Sequence, residues 1–132
     1  MKTSFFLTAF CLISLSIFVV YSKLSDEIFR GNNTSISISE DEETYQLKAS
    51  YNRHITGRIQ QYINHCIKPN SLFQSENDYF DANTTLADKT EFYIKESPGK
   101  LKIVLDKRKN SSASLQRIKN MCTGIKDVLG EK

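Results

Sequence analysis

Beyond residue 22 the sequence contains no long apolar run. A spanning helix wants about 20 mostly apolar residues, so no membrane segment is expected there. No serine stands in the Gly-x-Ser-x-Gly setting of an exposed nucleophile. The acids Glu76, Asp78, Asp81 and Asp88 do not follow the spacing of a calcium loop. The two histidines, His54 and His65, are eleven residues apart. On one continuous helix they would share a side but stand about 16 Å apart, too far to hold one metal or act as one acid–base pair. These shortages leave no catalytic set, no metal site and no cofactor site, and the chain is read as not an enzyme. The formal net charge is only +3, which does not argue for a nucleic-acid partner. No internal repeat or low-complexity segment is visible.

What is present begins at the N-terminus. Lys2 precedes the apolar run Phe5–Val20, and Tyr21-Ser22 follow it. A basic start, an apolar middle and small residues at the exit are the layout of a secretory signal peptide, with Val20 and Ser22 at the −3 and −1 positions and cleavage before Lys23. Residues 1–22 are therefore assigned to a signal peptide. The end, Leu129-Gly130-Glu131-Lys132, is not a retention signal of the Lys-Asp-Glu-Leu type, so secretion to the extracellular space is expected.

Subtracting the leader changes the meaning of several residue types. Cys11 leaves with it, and Cys66 and Cys122 remain in an oxidising compartment. One disulfide between them is expected. It would close a loop of 56 residues and contribute roughly 4 kcal/mol in the chain-entropy model. The pattern Asn-x-Ser/Thr occurs at Asn32, Asn33, Asn83 and Asn110, four candidate N-glycosylation sites on exposed chain. Charge is arranged in blocks: −4 over residues 23–43, +4 over 44–68, −4 over 69–99 and +6 over 100–132. Such blocks pair with one another in a fold, or present a basic surface to an acidic partner.

Residues 23–38 read as a flexible N-terminal arm, although the alternation Ser35-Ile36-Ser37-Ile38 also suits a short strand. A single domain occupies 39–132. It starts with a long helix, because Ser39 and Glu42 fit a capping box, four acids follow from Glu40, and Leu47, Tyr51, Ile55, Ile59, Ile63 and Cys66 recur at steps of three and four. Pro69 ends it. Residues 79–106 read as a three-stranded antiparallel meander, with Phe92 and Ile94, then Leu101, Ile103 and Leu105, facing inward. Ser97-Pro98-Gly99-Lys100 suits a type II turn. A last helix runs from about Ser112 to Leu129 behind the N-cap candidates Asn110, Ser111 and Ser112. The expected fold is α+β: a three-stranded meander covered on one face by two helices, in the order α-β-β-β-α, stapled by the disulfide.

The run Lys107-Arg108-Lys109 is the most specific local cluster. It suits the polar connection between strand and helix, a partner-binding spot, or a dibasic processing site. Export, small size, sequons and the absence of convergent reactive groups together suggest a secreted glycoprotein that works by extracellular binding, as a ligand, signalling factor or inhibitor. Its partner would be an extracellular protein or cell-surface receptor, with a sulfated glycan as the alternative. The rival readings are a carrier of a small apolar ligand and a small secreted ribonuclease-like hydrolase. The outer sheet face, with Tyr93, Lys95, Lys102 and Val104, and the basic C-terminal third are the first surfaces to consider.

Overall fold

The computed structural model describes residues 27–31, 34–75 and 79–130. The expected signal peptide, the first residues of the expected arm, Asn32 and Asn33 lie outside the described residues. Strands β1 (Glu27–Gly31), β2 (Thr34–Glu40) and β3 (Thr44–Ser50) are followed by helix α1 (Thr56–Cys66). Strands β4 (Phe80–Thr85), β5 (Glu91–Ser97) and β6 (Lys100–Asp106) are followed by helix α2 (Ser112–Gly130). All strands join one antiparallel sheet in the order β1-β2-β3-β6-β5-β4. The class is α+β, as expected, but the meander is not alone. Strands β2 to β6 make five, and β1 adds a sixth at the edge.

The expected helix from Ser39 to Cys66 is corrected most. Its first half is a β-hairpin. Ile36 and Ile38 on β2, and Tyr45, Leu47 and Ala49 on β3, are buried while their neighbours face outward. That is a period of two, the pattern of a sheet with one covered face. The acids taken for a helix start form the hairpin turn. The Asp41 carboxylate accepts from the backbone N–H of Glu43 and of Thr44, both at 2.8 Å. An Asp side chain that mimics a backbone turn outcompetes the helix here. The helix proper begins at Thr56, after a 3-10 turn at Arg53–Ile55 capped by Asn52. Of the expected arm, residues 27–31 and 34–38 are likewise sheet.

The expected disulfide is absent. Cys66 and Cys122 are both free thiols, Cys66 half-buried and Cys122 buried. Cys122 has no exposure, and burial pushes its thiol up to about 12, which leaves it a small apolar core residue rather than a nucleophile.

Residues 79–130 follow the sequence closely. Gly99 has φ +83°, as a type II turn requires, and a Cβ there would lie 2.9 Å from the Tyr51 carbonyl oxygen. Its N–H donates to Thr56 Oγ1 at 3.1 Å. Ser111 is the N-cap of α2, accepting from the N–H of Ser114 at 3.1 Å. Both helices cover the same face of the sheet, and one core fills the layer between them, including Ile36, Leu47, Ile59, Ile63, Phe92, Ile103, Ile118 and Ile125.

The chain is built twice. Each half is β-β-β-α, and β3 and β6 meet antiparallel at the middle of the sheet. A shift of 56 residues carries the pair Ile38–Leu47 onto Ile94–Ile103 and the pair Glu40–Tyr45 onto Glu96–Leu101, with the register kept. The same shift carries the first residue of α1, Thr56, onto that of α2, Ser112, and Cys66 onto Cys122. The units β2-β3-α1 and β5-β6-α2 are thus related by a pseudo-two-fold axis between β3 and β6, while the outer pairs differ by one residue, Glu27 facing Ile38 but Asn83 facing Tyr93. The sequence hides it, since the matched positions share mainly their in–out alternation.

Candidate binding surface on the open face of the sheet

The basic run singled out in the sequence occupies the turn after β6. Its charges are already used. The Lys107 ammonium lies 2.8 Å from Glu40 and donates to the Asp41 carbonyl oxygen at 2.6 Å. Glu40 also takes Lys119 of α2 at 2.8 Å. Partial burial acts to raise the Glu40 pKa, but the two lysines prevail and hold it below the usual carboxylate range. Arg108 folds back on Asp106 at 3.2 Å and faces Glu43 at 3.8 Å, and Lys109 faces Glu91 at 4.0 Å. The acidic block at 40–43 and the basic block at 107–109 therefore meet across the β2–β3 turn.

The sequons differ in their surroundings. Asn83 stands exposed on the outer face of edge strand β4. Asn110 is bound into the fold. Its Nδ2 donates to the carbonyl oxygens of Glu91 at 2.9 Å and Asp106 at 2.8 Å, and its Oδ1 accepts from the N–H of Glu91 at 2.8 Å. A sugar on Nδ2 replaces one of those two donated protons. His54 lies in the 3-10 turn and His65 near the end of α1, both exposed. No group of three metal-ligating side chains is found among the described residues. No helix among them is long and apolar enough to cross a membrane.

Inside the molecule the polar outlier is Glu96. Its strand alternation turns it inward and it has no exposure. Gln60 of α1 donates to both carboxylate oxygens, at 3.1 and 3.3 Å. The buried Tyr51 hydroxyl has no hydrogen-bond partner, and burial, with the Glu96 charge beside it, pushes its phenol above the usual range. This group is sealed from solvent and offers no surface to a substrate.

The outer face of the sheet is covered by neither helix. Four of its lysines, Lys48, Lys95, Lys100 and Lys102, carry no hydrogen bond or ion pair among the described residues. Three of them stand in one transverse row. Lys48 on β3 is directly opposite Lys102 on β6, and Lys102 is directly opposite Lys95 on β5. The row continues to Ser37 on one side and Asp81 on the other. Strands lie about 4.8 Å apart, so the three ammonium stems rise from a line about 10 Å long. Lys100 stands one step along β6, opposite Ser50 and Ser97. Like charges directly opposite one another destabilise a sheet. The nearest acid, Asp81, is already engaged, accepting from the Tyr93 O–H at 2.5 Å.

Sequence reasoning placed Lys95 and Lys102 on this face but missed Lys48, which it had put on a helix. Two shallow cavities are described. One of about 130 Å³ lies beside Asn83, Tyr93, Val104 and Lys109, and one of about 110 Å³ lies beside Gln60, Asn64 and Phe73. No family model matches the chain, and neither a curated protein nor a solved structure is significantly similar to it.

Proposed function

We propose that this chain is a secreted glycoprotein that acts by binding an extracellular partner through the open face of its sheet. The observation that carries this reading is the row Lys48–Lys102–Lys95, three like charges in direct cross-strand register on a face the helices leave uncovered. A fold has no internal use for such a row, which costs stability, whereas a partner of opposite charge gains from it. The sequence supports export through its leader and sequons. The basic cluster at 107–109 is less suited to this role, because its cations are matched to Glu40, Glu43, Asp106 and Glu91.

The test is binding of the purified, labelled protein to intact cells. Saturable binding that unlabelled protein displaces is expected, and it should weaken when Lys48 and Lys102 are replaced by Gln. Absence of any displaceable binding would remove the reading.

A further inference from the structure

Resting on that reading, the geometry points to a sulfated polysaccharide as the partner of the Lys48–Lys102–Lys95 row. Three features select a linear polyanion. The first is the shape of the charge. The cations form a line about 10 Å long, set across the strands at the strand spacing, rather than a cup around one anion. Lys100 widens the line at its centre on β6.

The second feature is the other half of the molecule, which shows what the fold itself demands at these places. The two-fold carries Lys48 onto Val104 and Lys102 onto Gln46, the pair that faces each other one row along. The sheet accepts an apolar and a neutral residue where the related row carries two ammonium groups. The lysines are therefore not required for pairing, packing or solubility of that row.

The third feature is the rim. Asn83 projects from β4 directly opposite Tyr93, one row from Lys95. A sugar at that sequon obstructs a flat protein interface, which needs about 800 Å² per partner. A flexible chain that lies along the lysine row passes beside it. Tyr93 supplies an aromatic surface next to the row, with its hydroxyl held by Asp81.

Binding would be non-covalent and electrostatic, with sulfate groups replacing the counterions of the lysines. The experiment measures affinity of the full secreted chain for a heparin-type polysaccharide as a function of salt. It compares the parent with K48Q/K102Q and with R108Q/K109Q, two variants of equal net charge. The first pair should lose roughly 30-fold in affinity, about a factor of five per lysine near an anionic surface. Its slope of log K against log salt should be shallower by about 2, as for release of two counterions. The second pair should change by less than threefold. Equal losses in the two variants would show that net charge alone acts, and would overturn the assignment.

Two further arms separate the sources of negative charge. The desulfated polysaccharide and vesicles containing phosphatidylserine should each bind at least tenfold more weakly than the sulfated chain. Equal binding to either would overturn it. On cells, enzymatic removal of sulfated glycans should abolish the displaceable binding. Persistence of saturable binding after that treatment overturns the sulfated partner while leaving the proposed binding function standing. Absence of binding before treatment removes both.

Discussion

The Arg117 guanidinium donates to the Asp88 carboxylate across 2.7 Å. Its other nitrogen donates to the carbonyl oxygens of Cys66 at 3.0 Å and Lys68 at 3.2 Å. One side chain of α2 thus joins the β4–β5 turn to the C-terminal end of α1, where backbone carbonyls lack helical partners. Replacing Arg117 by Met keeps the apolar stem and removes every donor. We expect a loss of about 1–2 kcal/mol in urea unfolding, because several polar groups lose their partner together.

Asp88 makes the same region sensitive to acid. The backbone N–H of Thr90 and its hydroxyl, then Arg117, hold the Asp88 pKa down at about 2 in the folded chain, against an ordinary 3.8. The folded value is the lower one, so the stabilisation is complete above about pH 4 and is lost as the pH falls toward 2. Asp88 is nearly half exposed, at 46%, so the amount stays below about 1 kcal/mol. Thermal unfolding of Asp88→Asn followed from pH 5 to pH 2 should show a flatter dependence than the parent.

The buried group around Glu96 gives opposite signs for two neighbouring substitutions. Tyr51→Phe removes a hydroxyl that is buried without a partner and should leave stability unchanged or raise it by up to about 1 kcal/mol. Gln60→Leu removes the donor that serves both Glu96 oxygens and should cost about 1–3 kcal/mol. Equilibrium unfolding of the two single variants checks both signs.

Gly124 lies in the middle of α2, where Ala would ordinarily favour a helix by about 1 kcal/mol. Here the Cβ would fall 1.6 Å from the Tyr62 hydroxyl oxygen. Gly124→Ala must displace that phenol, and the expected net effect is a loss of about 1 kcal/mol or more. In a Tyr62→Ala background the same substitution should turn stabilising. A double-mutant cycle measures the reversal.

The sequons should not be equivalent. Peptide mapping of the chain expressed through a secretory pathway should find a glycan on Asn83 and none on Asn110. Asn110→Ala should cost about 1–3 kcal/mol, since three hydrogen bonds to the backbone of β5 and β6 depend on that amide. Asn83→Gln should change the mass and leave the unfolding midpoint nearly unmoved.

The legible part of the sequence is the part in which only one period fits. Phe92 and Ile94, and Leu101, Ile103 and Leu105, alternate without a competing helical stripe, and Pro98-Gly99 fixes the turn between them. Residues 44–66 satisfy two periods at once. Leu47, Tyr51, Ile55 and Ile59 are spaced by four, while Tyr45, Leu47, Ala49 and Tyr51 are spaced by two. Burial in the sheet decides for the second over residues 45–51. The turn role of Asp41 was hidden because an acid before an apolar stripe reads equally as a helix start. The lysine row was half visible. Lys95 and Lys102 follow from strand alternation, but Lys48 joins them only through the pairing of β3 with β6, which no local pattern reveals.

The relation between the halves has a consequence for how the molecule is held together. The β3–β6 seam is a dimer interface that happens to lie within one chain. Neither β-β-β-α unit can finish alone, because each would leave its inner strand, β3 or β6, with a bare edge and its helix with part of its apolar face uncovered. Cutting the connection between residues 67 and 79 removes no strand and no helix among the described residues. Two separately produced fragments should therefore reassemble across that seam, and two intact chains held at high concentration could trade halves and close the same interface between molecules.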